Sequence, residues 1–349
     1  MKIKFLYTTI LILACFTFVT ACSKGGETAK QTESPTVVKE EYTIPQGEED
    51  KLYVLHKSLN TKQTYNSDEV VLFLEPFSVP TAKAFDVPGY SWMDDYARKG
   101  YDTWAMDFRG FGNSSRPREM TVSASYNPPV IHLDDATQDL ATVVNLIKKQ
   151  RHVSKIHIVG WSYGGVVAGN YAISHPNDIN KLVLYGYMNG FSLPMMTKPY
   201  EDATGQFKYQ SAYQTIDFEN GIHDWKMMQG DKQLVSDDAM KAVKDVFLAS
   251  DSQRYQFKGA IRRPMGPVED MFSIWSNKPL YDASKITVPT LVIYGQDDFF
   301  AEHNMLDKLT GTKEKKEVVI PDATDWAIYE KNRDILTGET LKFLSNGKD

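Results

Sequence analysis

Lys155-Ile156-His157-Ile158-Val159-Gly160-Trp161-Ser162-Tyr163-Gly164-Gly165-Val166-Val167-Ala168-Gly169-Asn170 is the stretch that decides the fold. A β-branched run ends at Val159, a small-residue run begins at Gly164, and the pattern G-x-S-x-G joins them through Gly160, Ser162 and Gly164. Alone, those five positions occur by chance in loops. Between these flanks they meet the demands of a nucleophile elbow, where a buried strand stops, the chain turns around one serine and a helix starts behind it. The glycines follow from sterics. Strand and helix backbones meet where no side chain fits, and the serine takes an unfavourable φ/ψ that holds its hydroxyl clear. Ser162 is therefore the candidate nucleophile.

The 349 residues are 42% hydrophobic and 24% charged, an ordinary globular composition with room for one large α/β domain and an insertion. The formal net charge of -6 favours neither nucleic acid nor an acidic membrane surface as an electrostatic partner. The first residues stand apart. Lys2 and Lys4 precede an apolar run from Phe5 to Val19, too short to span a bilayer comfortably, and Thr20-Ala21 supply small residues, as in an export signal over residues 1–21. Val19-Thr20-Ala21-Cys22 resembles the lipobox of bacterial lipoproteins, which implies that Cys22 is acylated and becomes the mature N-terminus. The other cysteine, Cys15, would leave with the signal, so no thiol remains for a disulfide or a metal. The two or three acyl chains that lipoprotein processing implies anchor a protein stably. Ser23 after the cysteine suggests release to an outer membrane where the organism has one.

Residues 22–36 are polar and cannot form a core, which reads as a flexible tether, and the folded domain is expected over 37–349. Val37 to Ile44 and Lys51 to Leu59 alternate as early strands, Glu69 to Leu74 is a buried strand, and Gly89 to Lys99 has helical spacing. Thr103 to Phe108 is a further buried strand, and His132 to Gln150 is an amphipathic helix with Leu140, Val143, Val144 and Ile147 on one face. The elbow and a strand at Lys181 to Tyr185 follow. Strands alternating with helices predict an α/β fold, a mostly parallel doubly wound sheet, with its ligand beyond the carboxyl ends of the strands. The alternation stops over about 187–284, where Tyr, Phe, Met and Trp residues accumulate, and this segment is expected to be a helical cap insertion. Regular structure resumes with Pro289 to Gly295, Lys316 to Ile320 and a last helix from about Trp326 to Leu344.

The elbow, the stretch Asp107-Phe108-Arg109-Gly110-Phe111-Gly112-x-Ser114 and the late strand Pro289-Thr290-Leu291-Val292-Ile293-Tyr294-Gly295 together resemble the α/β-hydrolase superfamily of serine enzymes. The resemblance runs from about Val70 to the C-terminus, more weakly across the cap. It implies a triad in the chain order serine, acid, histidine. The acid falls on Asp298, three residues past Gly295, with Asp297 beside it as the lesser candidate and helix capping as the plain alternative. The oxyanion hole would use the backbone N–H groups of Phe77 and Tyr163, although Glu75-Pro76 stands where relatives have His-Gly. The histidine position, in Ile320-Pro321-Asp322-Ala323-Thr324-Asp325-Trp326, is Asp325, and no histidine follows His303.

That departure matters chemically. An imidazole of pKa about 6.5 suits proton exchange with serine at neutral pH, whereas an ordinary carboxylate of about 3.9 is a weaker base and shorter. Close to Asp298, however, two carboxylates repel and one of them can hold a proton. His303 follows the acid loop and is a candidate replacement, while His157 reads as core, His132 and His175 as helix boundaries and His223 as cap. Two functions result. One is a membrane-anchored, esterase- or lipase-like serine hydrolase of a small apolar or acyl substrate, with activity impaired by Asp325. The other is a catalytically inactive lipoprotein that keeps the fold and binds a small apolar ligand. No cofactor is expected, since neither a metal-ligand cluster nor an early G-x-G-x-x-G is present.

Overall fold

The computed structural model describes residues 34–347, so the expected signal, Cys22 and most of the tether lie outside the described residues. The main sheet is built from β1 (Val37–Gln46), β2 (Asp50–Leu59), β3 (Val70–Leu74), β4 (Asp102–Met106), β5 (Ile156–Trp161), β6 (Ile179–Tyr185), β9 (Thr290–Gly295) and β10 (Lys315–Ile320). Between β6 and β9 the chain adds β7 (Tyr213–Ile216) and β8 (Ile261–Pro264), which pair only with each other. The eight strands lie in the order β1-β2-β4-β3-β5-β6-β9-β10. Only β2 runs against the rest, pairing antiparallel with β1 and β4. The central strands β3, β4 and β5 are buried along their whole length. Covered on both faces, such strands carry continuous apolar runs instead of alternation.

Helices α1 (Trp92–Arg98), α2 (Leu133–Arg151) and α3 (Tyr163–Ser174) fill the first three crossovers of the parallel part. The Ser91 hydroxyl caps α1 by accepting the Asp94 N–H at 3.0 Å, which sets a later start than Gly89. The cap segment holds α4 (Pro194–Thr197), α5 (Phe218–Gly221), α6 (His223–Gln229), α7 (Asp237–Ala249) and α8 (Gly266–Trp275). It is thus mainly helical, with the β7–β8 ribbon as an element that periodicity did not reveal. After α9 (Met305–Lys308) the final helix α10 spans Arg333–Leu344 and not the longer stretch from Trp326. Residues Trp326 to Tyr329 are buried on every side. Their backbone is tied down instead, the Tyr185 hydroxyl accepting the Ile328 N–H at 3.2 Å.

The elbow is where β3, β5 and α3 meet. Ser162 sits at φ 54°, ψ −117°, a conformation forced on it from both sides. A Cβ on Gly160 would approach the Gly164 carbonyl to under 3.0 Å, and one on Gly164 would do the same to the carbonyls of Leu74 and Glu75. All of those atoms are backbone and none can swing aside. Gly164→Ala should therefore destabilise the full-length protein by about 3 kcal/mol or more in denaturant unfolding. Gly338→Ala, where nothing lies within 4 Å of the added methyl in α10, should raise stability by up to about 1 kcal/mol. Similar values for the two variants would contradict the close packing of the elbow.

Candidate active site

Ser162 emerges at the carboxyl end of β5 and, with Asp325, lines a cavity of about 450 Å³ roofed by the cap. The remaining wall is largely apolar and includes five methionines, Met188, Met195, Met196, Met227 and Met271. Phe77 and Ser78 line it from the β3 side, and Tyr163 opens α3 directly after the serine. Of the two residues expected at the oxyanion hole, Tyr163 is thus next to Ser162 in the chain and Phe77 lines the same cavity from the end of β3. Among the described residues Ser162 Oγ has no hydrogen-bond partner, and Ser162 N–H is taken by the Tyr185 carbonyl at 2.7 Å.

Asp298 and Asp325 are brought together from two loops. Asp298 is completely buried, and its Oδ1 accepts the N–H groups of Phe300 at 2.9 Å and Ala301 at 3.2 Å. Its Oδ2 has no partner. Asp325 Oδ1 accepts from the indole of Trp161, one residue before Ser162, at 3.0 Å. Gly186, at φ +55°, allows the two carboxyls to approach each other past the β6 terminus. A Cβ there would collide with Asp325 Oδ1 and sit 3.3 Å from Asp298 Oδ2. Asp297, by contrast, points outward and pairs with Lys232 at 2.6 Å, so the sequence ambiguity resolves to Asp298 as the inward acid. Both the capping bonds and the inward carboxyl belong to the same residue.

No cation faces this pair within ion-pair range among the described residues. Burial pushes the Asp298 carboxyl up to about 7 against its two backbone N–H bonds. Burial first, and then the charge of Asp298, push Asp325 well above the usual carboxylate range, with the Trp161 bond opposing. Both shifts favour the protonated form, because double ionisation would set like charges against each other in a medium poor in water. A nearby third carboxyl, Glu330, is satisfied by Trp225, Thr324 Oγ1 and Thr324 N at 2.6 to 2.8 Å.

None of the histidines takes the missing place. His303 stacks on Tyr294 with its Nε2 against the backbone carbonyl of Asp298 at 3.2 Å, away from that residue's carboxyl. His157 lies within β5 against the Asp68 carbonyl, and burial lowers its pKa to about 4. His132 contacts Asp270, and His175 stacks on Tyr171. His223, Asp224 and Arg263 line the cavity from the cap, and their role there was not legible in the sequence, which gives no register to an irregular insertion.

Known proteins share this fold. The sequence model of the alpha/beta hydrolase fold matches residues 85–332. The chain belongs to the alpha/beta hydrolase family. It is 23% identical over 261 residues to epoxide hydrolase 3 of Xenopus tropicalis, covering 70% of this chain and 65% of that protein. It is 26% identical over 258 residues to the 2-hydroxy-6-oxo-6-(2'-aminophenyl)hexa-2,4-dienoic acid hydrolase of Metapseudomonas resinovorans, covering 71% and 76% of the two chains. Among solved structures, a serine hydrolase involved in carbazole degradation superposes with a TM-score of 0.58 at 20% identity, covering 88% of this chain and all of that one. At that identity the likeness is one of fold.

The upward shift of the acid pair has a thermodynamic signature. The folded site retains a proton that an unfolded carboxyl, of pKa about 4, releases, so its contribution to stability is lost as pH rises from about 4 toward the raised folded values. Asp325→Asn removes the repulsion and keeps an oxygen for the Trp161 indole. Its melting temperature should exceed the parent's by more at pH 8 than at pH 5, the gap between the two conditions being about 3 °C or more. An equal change at both pH values would mean that the pair is not protonated in the folded state.

Proposed function

We propose that the protein is a membrane-anchored serine hydrolase of carboxylic esters, with Ser162 as nucleophile and the Asp298–Asp325 pair as its proton-transfer group. The observation that carries this reading is the forced backbone of Ser162 on the wall of a cavity that Asp325 also lines. Strain of this kind costs about 1–3 kcal/mol and is retained where it presents a reactive group. The apolar, methionine-rich wall suits an acyl chain and adapts to its shape. The relatives named above are hydrolases of different bonds, which supports hydrolysis without fixing the substrate.

The histidine's absence is partly offset by the environment of its replacement. A carboxylate raised toward neutrality is a base matched to neutral pH, which an exposed aspartate is not. Ser162 Oγ adds to the acyl carbon and its proton passes to the ionised member of the pair, through a water or a side-chain shift, since no direct bond exists at rest. The same proton leaves with the alcohol. Water then cleaves the acyl-serine by the reverse proton path, while the N–H groups of Phe77 and Tyr163 are assigned to the developing oxyanion. The absence of a bond between Ser162 and Asp325 favours a second reading, in which the cavity binds an acyl ligand without turning it over.

Hydrolysis of nitrophenyl esters of short and medium acyl length by the full-length protein in detergent separates these readings. The parent should show slow turnover that Ser162→Ala abolishes, and Asp325→His should increase it by at least about tenfold. Turnover that persists in Ser162→Ala, or none in the parent, would remove the hydrolase assignment. The membrane anchor rests on Val19 to Cys22 and has its own readout. Cells expressing the full chain should incorporate labelled palmitate into the protein and retain it in the membrane fraction, and Cys22→Ser should lose both.

A further inference from the structure

The cap strand β8 carries two adjacent arginines with opposite fates. Arg262 is neutralised, its Nε and Nη2 donating to the two oxygens of Asp251 at 2.8 and 2.9 Å. Arg263 is only 6% exposed and faces the cavity that holds Ser162. Its guanidinium lies 4.2 Å over the Phe77 ring, and Nη1 reaches the Phe77 carbonyl at 3.3 Å. No carboxylate among the described residues comes within ion-pair range of it, and its Nε has no partner. Two other buried groups on the wall of the same cavity, Ser78 Oγ and Trp275 Nε1, are also without partners.

Orphaned donors of this kind are costly. A buried guanidinium left unpaired loses hydration worth several kcal/mol and recovers it only when an acceptor arrives. Three residues on the wall of one cavity each carry an unsatisfied group able to donate, and a side-chain adjustment that turns them inward asks for a ligand group that only accepts. The planar fork of an arginine fits a carboxylate with two parallel bonds. Charge narrows the choice further. Asp224 and Asp325 line the same cavity and oppose any anion there, so a singly charged carboxylate meets less repulsion beside Arg263 than a phosphate of charge near two.

We infer that Arg263 is the centre of a carboxylate-binding subsite, and that the ester this protein takes bears a free carboxylate besides the acyl group offered to Ser162. The inference rests on the hydrolase reading for the word ester, while the subsite itself stands on the cavity alone. It also links recognition to the reaction centre. Phe77, whose N–H is assigned to the oxyanion, is held at its carbonyl and its ring by the same side chain that would receive the carboxylate. The apolar wall then houses the carbons between the two groups.

Monomethyl glutarate and dimethyl glutarate, which differ by one ionised carboxylate, are the probes. Their binding to the full-length Ser162→Ala protein in detergent is measured by calorimetry, with Arg263→Gln, Arg263→Met and Arg263→Lys introduced in the same background. The monoester should bind at least about tenfold more tightly than the diester, and Gln or Met at the position should erase that preference. Lys should keep part of it, since the charge remains and the fork is lost. Affinity for the diester should change less than about twofold throughout, which a collapse of the cavity would not allow. Equal binding of the two probes to the arginine protein, or a preference that survives in Arg263→Gln, would overturn the proposal. Should the variants fail to fold, stabilisation of the arginine protein by monomethyl glutarate but not by the diester still supports it, and equal shifts overturn it. If the carboxylate preference depends on Arg263 while the parent hydrolyses neither nitrophenyl glutarate nor nitrophenyl pentanoate, the subsite stands and the hydrolase reading falls.

Discussion

The backbone contact between Gly164 and the end of β3 is the constraint on which the site depends. Because the carbonyls of Leu74 and Glu75 occupy the space where a Cβ would be, α3 starts hard against two strands at once. The chain must turn within the single residue Ser162, whose positive φ is the geometric result. That turn places Ser162 at the carboxyl end of β5, on the wall of the cavity that Phe77 also lines. A looser junction would relieve the serine of its strained backbone.

Around that fixed point the electrostatics are unusual for a site of this layout. A histidine would bring a positive charge when protonated and would be held by Asp298 in one tautomer. Asp325 reverses the sign of the interaction, so the same proximity now repels. Gly186 leaves room for both oxygens, and burial together with the neighbouring charge disfavours double ionisation, which raises both carboxyls above their usual range. Reach is the remaining deficit, as the shorter side chain gives Oδ1 to Trp161 and leaves Ser162 Oγ without a partner.

Most of the fold was legible because its signals are local. Val70 to Leu74 and Ile156 to Val159 are continuous apolar runs that only a doubly covered strand requires, and Gly160 and Gly164 mark the close approach directly. Asp298 and Asp325 were also visible, by distance from Gly295 and by position after β10. What sequence could not show was the cap. The β7–β8 ribbon pairs Tyr213 with Pro264 across a long stretch of irregular chain, so its register is set by tertiary packing and not by any turn signal. Arg263 was hidden for that reason. Its neighbour Arg262 has the same local context, and only the fold decides which of the two meets Asp251 and which faces the cavity.

Cap and acid loop are joined by an aromatic contact that bears on how the cavity opens. Trp225 of α6 lies parallel to Trp326 at 4.4 Å between ring centres, and its indole donates to Glu330 at 2.8 Å. Glu330 in turn fixes Thr324, the residue before Asp325. The roof of the cavity and the loop that carries Asp325 are therefore held by one buried assembly. A large displacement of α6 would pull on the loop that sets Asp325. Side-chain adjustment of the methionine wall needs no such movement, since thioether side chains repack at little cost. The cavity is thus most easily reshaped along Met195, Met196 and Met227, leaving the tryptophan pair, and with it the geometry around Asp325, undisturbed.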